Sequence, residues 1–165
     1  MKHTITTMTL ATLLALPAVV HAQQRVIDVD VTQVKGQLDR MFNLSVGAGR
    51  ANEGLRADWQ QQLAELRKDT GFRYIRMHGL LSDDMAVFRI DAQGKEQYNF
   101  QYVDALFDYL LSVGIKPFVE LGFMPSAMAS GTKTIFWWRG NVTPPRDYAQ
   151  GERRIKALPE HSTAR

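Results

Sequence analysis

The sequence predicts an α/β fold with a parallel sheet, and three observations support this prediction. Short runs of branched and aromatic residues alternate with apolar residues at helical spacing along most of the chain. Glycine or polar residues follow each run, as is typical where a strand ends in a loop. Strands separated by helices of this length usually pair in parallel through crossover connections.

The length of the chain limits the size of this sheet. A closed barrel of eight strand–helix units needs about 250 residues, whereas the chain has 165 residues. Only about three units fit, as judged from the spacing of the elements. The sequence therefore predicts either a small open sheet or the front part of a larger fold.

The first 22 residues have the layout of a secretory signal peptide. Lys2 precedes the apolar run Met8–Val20, and the segment closes on Val20-His21-Ala22, with small residues before the cleavage point. The run is too short to span a bilayer. We expect residues 1–22 to be removed on export to the periplasm or the cell exterior, which leaves a chain without a membrane segment. A buried N-terminal helix is the alternative.

Composition argues against several classes of partner and cofactor. The 20 basic and 17 acidic residues are interspersed, so nucleic-acid binding is not expected. The absence of cysteine excludes disulfides, thiolate metal sites and a cysteine nucleophile. The four histidines lack metal-ligand spacing, and no phosphate-binding or dinucleotide-binding glycine motif occurs. We therefore expect no metal and no cofactor.

Two strand candidates open the mature sequence. Apolar and polar residues alternate at Val26–Val31, which predicts a short strand within an N-terminal strand-and-linker segment at 23–41. The second candidate, Phe42–Ala48, reaches a turn at Gly47 and Gly49.

A helix with a single apolar stripe follows, and a strand comes after it. Asn52 can cap the helix and Gly71 can end it. The stripe consists of Leu55, Trp59, Leu63 and Leu66. The next strand is predicted at Phe72–His78, because it is rich in aromatic and branched residues.

The second half of the chain repeats this order after a hairpin. The hairpin is predicted at Val87–Ile90 with a turn at Asp91–Gly94. The remaining elements are a helix from the cap Asn99 to Gly114, a strand at Ile115–Leu121, an irregular loop rich in glycine, proline and aromatic residues, and a polar helix at Asp147–Arg165.

Candidate functional residues lie where the predicted strands end, because loops converge there in parallel α/β folds. Arg50 and His78 follow two of the strands; His78 could bind a ligand hydroxyl or be a satisfied core histidine. Asp83 and Asp84 could be an acid–base pair, although a turn or a capping pair is the commoner use. Glu120 is either a catalytic acid or an ion-pair partner of Arg76 or Arg50.

Three aromatic residues, Phe136, Trp137 and Trp138, stand together in the loop after the third strand. Aromatic faces stack on the apolar faces of sugar rings, so the loop could bind carbohydrate. It could equally be pinned to the core by those rings.

Five segments of the sequence, in consistent order, resemble glycoside hydrolase family 39, which contains β-xylosidases and α-L-iduronidases. They are Val46–Arg50, Phe72–Met85, Tyr98–Asp104, Pro117–Pro125 and Trp137–Pro145. The resemblance implies a (β/α)₈ TIM barrel with a small β-sandwich. Residues 42–165 would form about the first three units of an incomplete barrel, and the strand at Val26–Val31 would belong to the sandwich.

The resemblance also implies the chemistry. The family hydrolyses glycosidic bonds with retention, using two glutamates about 5 Å apart. Its acid/base lies in an Asn-Glu-Pro motif after the fourth strand and its nucleophile after the seventh. The sequence contains no Asn-Glu-Pro. We therefore expect this chain to lack both catalytic glutamates and to be inactive alone.

The resemblance assigns substrate-binding residues. His78 matches a family histidine that holds the sugar at the cleavage point, and Phe123 and Trp138 belong to segments near that pocket. Glu120 matches a family glutamate that is not catalytic. The implied ligands are β-xylosides or xylo-oligosaccharides.

The sequence is compatible with three functions. The chain can be part of a β-xylosidase-like hydrolase, a non-catalytic carbohydrate-binding module, or an inactive remnant of a truncated gene.

Overall fold

The computed structural model of the protein describes residues 25–164. The chain divides into two units, Met1–Gln37 and Leu38–Arg165. The predicted signal peptide at 1–22 lies outside the described residues. No helix among residues 25–164 combines the length and the hydrophobicity that crossing a membrane requires.

The predicted strand at Val26–Val31 is wrong. Residues 25–30 have no regular structure, and a turn follows at residues 31–32. The Asp30 carboxylate accepts hydrogen bonds from the backbone N–H and the hydroxyl of Thr32, at 3.0 and 2.7 Å. The side chains of Val26 and Val31 are 73% and 83% exposed. An alternating pattern forms a strand only when another strand pairs with it, and residues 25–37 offer no partner strand.

The second unit alternates strands and helices. In chain order its main elements are β1 (Ser45–Arg50), α1 (Ala57–Thr70), β2 (Tyr74–His78), β3 (Phe88–Ile90), β4 (Glu96–Tyr98), α2 (Gln101–Ser112), β5 (Lys116–Val119), β6 (Thr134–Ile135), β7 (Gly140–Asn141) and α3 (Tyr148–Thr163). Short 3₁₀ helices lie at Met41–Asn43, Ala51–Leu55 and Asp83–Met85.

The central feature is a three-stranded parallel sheet in the order β1-β2-β5. The predicted α/β class with parallel pairing is therefore confirmed. In β2, Ile75 and Met77 are buried beneath the helices, whereas Tyr74, Arg76 and His78 alternate with them and are partly or largely exposed. The sheet thus packs one face on the core and presents a polar row on the other.

The first helix begins later than predicted. Asn52 lies in the 3₁₀ helix Ala51–Leu55, and its side-chain amide donates to the backbone carbonyl of Asp84 at 3.0 Å. The α-helix starts at Ala57, and Gly71 ends it in the left-handed conformation at φ 78°, as predicted. Asn52 therefore joins two loops instead of capping the helix.

The core lies between this sheet and the helices. The most deeply buried core side chains include Ile75, Leu81, Met85, Val87, Val103, Leu106, Leu110 and Ile115.

Two polar contacts hold α3. Asp147 caps the helix by accepting a hydrogen bond from the Ala149 N–H at 2.9 Å. His161 of α3 lies 2.9 Å from the Asp104 carboxylate of α2.

Two antiparallel hairpins leave the sheet. The β3–β4 hairpin turns where predicted, with the Asp91 carboxylate accepting from the N–H groups of Gln93 and Lys95 at 3.0 and 2.8 Å. The β6–β7 hairpin lies inside the loop predicted to be irregular. It carries Phe136, Trp137 and Trp138 on its connection.

Candidate functional site

His78 lies at the carboxyl end of β2, opposite Arg50 at the end of β1. Its Nδ1 is 2.8 Å from Oε2 of Glu120, whose other carboxylate oxygen contacts the Arg76 guanidinium. The three side chains form a row of polar contacts at the mouth of the sheet. The sequence left Glu120 as either a catalytic acid or an ion-pair partner of Arg76 or Arg50. In the structure it is the ion-pair partner of Arg76.

The Glu120 carboxylate orients the His78 ring. Because Nδ1 faces the carboxylate, Nε2 remains as the ring atom for a further hydrogen bond. The His78 side chain is 31% exposed, so solvent or a ligand can reach it. Both carboxylate oxygens of Glu120 already have a partner, one in Arg76 and the other in His78.

The β6–β7 hairpin places an aromatic cluster beside His78. The rings of Phe136 and Trp138 stack with centroids 5.4 Å apart, and Phe123 meets Trp138 edge-on at 5.2 Å. Phe136 lies 5.7 Å from the His78 ring. The predicted site residues His78, Phe123 and Trp138 are therefore brought together, with Phe136 between His78 and Trp138.

The hairpin geometry depends on Gly140. A Cβ at this position would lie 2.8 Å from Trp138 and 2.9 Å from Phe123, closer than side-chain packing permits. The connection itself turns through Phe136 and Arg139, both left-handed at φ 62° and 59°. The aromatic rings are therefore positioned by a backbone turn and a close approach at a single glycine.

Arg50 holds this hairpin from the side of β1. Its guanidinium carbon is 4.9 Å from the Trp137 ring centroid and 5.9 Å from that of Trp138, within cation–π range. Its Nη1 donates to Asp84 at 3.0 Å, and its Nε is 3.7 Å from Glu53. Arg50 thus links the first strand, the loop after the second and the aromatic hairpin.

Asp83 and Asp84 make separate contacts rather than forming an acid–base pair. The Asp83 carboxylate accepts from the backbone N–H of Ser126 at 3.0 Å, and Asp84 pairs with Arg50. Burial raises the pKa of Asp84, and the Arg50 charge opposes this effect. Each carboxylate therefore tethers a loop at the mouth of the sheet.

A buried arginine supports the loop from α3. Arg154 is only 4% exposed, and its Nη1 donates to the backbone carbonyl of Phe123 at 3.2 Å. Burial lowers the pKa of Arg154. The sequence pattern did not indicate that Arg154 contacts Phe123 or that Phe136 lies beside His78, because each of these two contacts joins residues far apart in sequence.

No group of three metal-binding side chains occurs among residues 25–164. The chemistry available at the mouth of the sheet is hydrogen bonding from His78 together with aromatic surface from the hairpin. That combination suits a ring-shaped ligand that has hydroxyl groups at its edge and apolar faces.

Comparison with known proteins agrees with this geometry. The sequence model for the glycosyl hydrolases of family 39 matches residues 25–165. The chain belongs to glycosyl hydrolase family 39. The resemblance found in the sequence is therefore confirmed, and the family 39 match includes every residue of the mouth described above.

The relatives of the chain include two β-xylosidases. The chain is 43% identical over 130 residues to the β-xylosidase of Caldicellulosiruptor saccharolyticus, covering 79% of this chain and 27% of that protein. It is 46% identical over 123 residues to the β-xylosidase of Geobacillus stearothermophilus, covering 73% and 24%. The chain therefore spans about a quarter of the length of these relatives.

Solved structures agree with this assignment. A monomeric β-xylosidase from Caulobacter crescentus CB15 superposes with a TM-score of 0.73 at 40% identity, over 86% of this chain and 28% of that one. The family 39 enzyme of Xanthomonas axonopodis pv. citri gives 0.72 at 39% identity, over 77% and 25%. The α/β arrangement of the second unit is thus similar to that of family 39 xylosidases.

Proposed function

We propose that His78, Phe123 and Trp138 bind and orient a β-xyloside. The chain would be part of a β-xylosidase-like glycoside hydrolase that cleaves the glycosidic bond with retention of configuration. The observation that carries the proposal is the position of His78, held by Glu120 and adjacent to the stacked Phe136–Trp138 pair. Nε2 of His78 would hydrogen-bond a sugar hydroxyl, and Phe123 and Trp138 would supply apolar surface. Similarity to named β-xylosidases supports the choice of xylosides.

The proposal gives Glu120 a positioning role, not a catalytic one. Retaining hydrolysis needs one carboxyl group that donates a proton and another that attacks the sugar. Glu120 contacts Arg76 with one carboxylate oxygen and His78 with the other, so both oxygens already hold protein side chains in place. We assign neither catalytic carboxylate to a residue among 25–164.

We also propose that the parallel sheet corresponds to the first three strands of a (β/α)₈ barrel. The row formed by Tyr74, Arg76 and His78 would face the barrel interior, and the buried Ile75 and Met77 already face the helices. This division of the two faces supports the barrel arrangement over a free-standing open sheet.

Xyloside binding can be tested by ligand-observed NMR with xylose and xylobiose. His78→Gln should weaken binding by about tenfold or less, as expected for the loss of one hydrogen bond. His161→Gln is a matched control, because it also replaces a carboxylate-paired histidine but lies between α2 and α3. Equal binding by wild type and His78→Gln would contradict the proposed role of His78.

A second assay separates the proposed enzyme part from a non-catalytic module. The chain is mixed with an aryl β-xyloside, and release of the aryl group is followed. Xylose binding without turnover is expected of these residues alone. Turnover that disappears in Glu120→Gln would instead make Glu120 catalytic and would contradict its positioning role.

Export is proposed on the sequence of residues 1–22. N-terminal sequencing of protein collected outside the cytoplasm should begin at Gln23. An intact Met1 on the exported protein would overturn the proposed cleavage.

A further inference from the structure

Arg154 lies on the buried face of α3, behind the segment that carries Phe123. The buried positions of this helix are Gly151, Arg154 and Leu158, which share one helical face. Gly151 lets the helix approach the preceding loop closely, because a Cβ at this position would lie 3.1 Å from Cγ of Pro145. With the helix this close, Nη1 of Arg154 donates to the Phe123 carbonyl at 3.2 Å.

An arginine is a costly residue to bury at this position. Arg154 is 4% exposed, and its Nε has no hydrogen-bond partner among residues 25–164. A buried charge with so few hydrogen bonds usually lowers stability relative to an apolar side chain of similar size. Stability therefore does not explain the arginine, whereas its bond to the Phe123 backbone points to a role at the site.

The peptide that joins Phe123 to Met124 is held at both of its polar groups. The Met124 N–H donates to the Asn141 carbonyl of β7 at 3.1 Å. The Phe123 carbonyl accepts from Arg154 and has no other donor among the described residues. Because a peptide is planar, these two bonds together fix its orientation, and with it the backbone conformation of Phe123.

The Phe123 ring forms one side of the aromatic cluster near His78. It meets Trp138 edge-on at 5.2 Å and Phe136 edge-on at 6.1 Å between ring centroids. Phe123 is only partly buried, so a ligand can reach part of its surface. Without the Arg154 bond, the Phe123 carbonyl would be free to rotate, and the ring would leave this arrangement for part of the time.

We propose that Arg154 is a positioning residue for xyloside binding, which acts through the Phe123 carbonyl to hold the Phe123 ring against Trp138. The inference rests on the proposed function, because the ligand is the β-xyloside assigned to His78, Phe123 and Trp138. Arg154 itself is buried behind the segment, so its effect on the ligand is indirect. Its removal should weaken binding without lowering the stability of the chain.

The first test measures xylose affinity by ligand-observed NMR. Arg154→Met should weaken xylose binding by about three- to tenfold, because the Phe123 ring is no longer held in place. Arg154→Lys keeps a donor for the carbonyl and should bind within about twofold of wild type. Arg154→Leu repeats the apolar change if Arg154→Met fails to fold.

Arg153→Met is the matched control. It removes the neighbouring arginine of the same helix, whose side chain is 53% exposed and pairs with Glu96. Arg153 makes no contact with Phe123 among the described hydrogen bonds, so its loss should leave xylose affinity unchanged.

A double-mutant cycle tests whether Arg154 acts through Phe123. Phe123→Ala should weaken xylose binding, and adding Arg154→Met to it should change the affinity by less than about twofold. A general effect of Arg154 on the structure would lower the affinity by the same factor in both backgrounds. Additive effects would therefore overturn the inference.

A measurement without ligand separates this inference from the proposed function. Nuclear Overhauser effects between the Phe123 and Trp138 rings should be present in wild type, Arg154→Lys and Arg153→Met, and weaker in Arg154→Met. Unchanged effects in Arg154→Met would overturn the inference, as would xylose binding equal to that of wild type. If wild type does not bind xylose, the proposed function is wrong and the role in binding is wrong with it, whereas the ring measurement still decides whether Arg154 positions Phe123.

Discussion

Glu96 joins the β3–β4 hairpin to α3 and should make a pH-dependent contribution to stability. Its carboxylate accepts from Nη2 and Nε of Arg153 at 2.5 and 3.2 Å. It also accepts from Gln150 Nε2 at 3.2 Å and from the Tyr98 hydroxyl at 3.0 Å. Replacing Glu96 by Gln keeps the shape of the side chain and removes the charge on which these bonds depend.

The magnitude follows from the pKa of Glu96. The Arg153 hydrogen bonds, aided by those from Tyr98 and Gln150, lower the pKa of Glu96 from 4.5 to about 2. A pKa change of this size corresponds to roughly 3 kcal/mol. Because the Arg153 side chain is 53% exposed, solvent screening should reduce the contribution of the Glu96 charge to about 1 kcal/mol.

The pH dependence has a definite sign. The folded pKa of Glu96 lies below the unfolded one, so the folded state favours the carboxylate. The stabilisation is complete above pH 4.5, the ordinary value. It is lost as the pH falls through this value toward about 2, where the folded protein also binds the proton.

Urea denaturation followed by far-UV circular dichroism measures this effect. At pH 7, Glu96→Gln should lower the free energy of unfolding by about 1 kcal/mol, and the difference should vanish toward pH 2. Glu65→Gln is the control, because Glu65 is exposed on α1 and makes no hydrogen bond among the described residues. A difference between wild type and Glu96→Gln that does not change with pH would refute the electrostatic explanation.

Two further predictions concern packing and buried charge. Leu106→Ala should lower the free energy of unfolding by about 2–5 kcal/mol, because Leu106 is fully buried. Leu111→Ala on the same helix is the control and should change it little, because the Leu111 side chain is 56% exposed. Urea denaturation measures both variants, and equal effects would place Leu106 outside the core. Arg154→Met should raise the free energy of unfolding by about 1 kcal/mol, because the Arg154 guanidinium is buried and burial lowers its pKa. Thermal denaturation checks this expectation. A lower melting temperature for the variant would show that the hydrogen bond from Arg154 to the Phe123 carbonyl outweighs the cost of burying the charge.

The elements that the sequence predicted correctly have local causes. Gly71 and Gly114 end their segments in the left-handed conformation, at φ 78° and 75°. The Asp91 carboxylate organises the predicted hairpin turn through its own neighbours. Such positions can be found from sequence because the partners lie within a few residues.

The incorrect elements depend on distant partners. Val26–Val31 has the alternation of a strand but pairs with no strand among residues 25–37, so its backbone takes no regular form. Asn52 precedes an apolar stripe as a helix cap would, yet its amide reaches the Asp84 carbonyl, 32 positions along the chain. Local patterns contain no information about these partners.

The candidate site divides in the same way. The sequence by itself determined the family, the parallel α/β order and the position of His78 at a strand end, because these follow from motifs and periodicity. Only the tertiary structure decided that Glu120 pairs with Arg76 and His78, and that Phe136 stands between His78 and Trp138. Those contacts join separate strands and a hairpin, and their geometry exists only once the chain has packed.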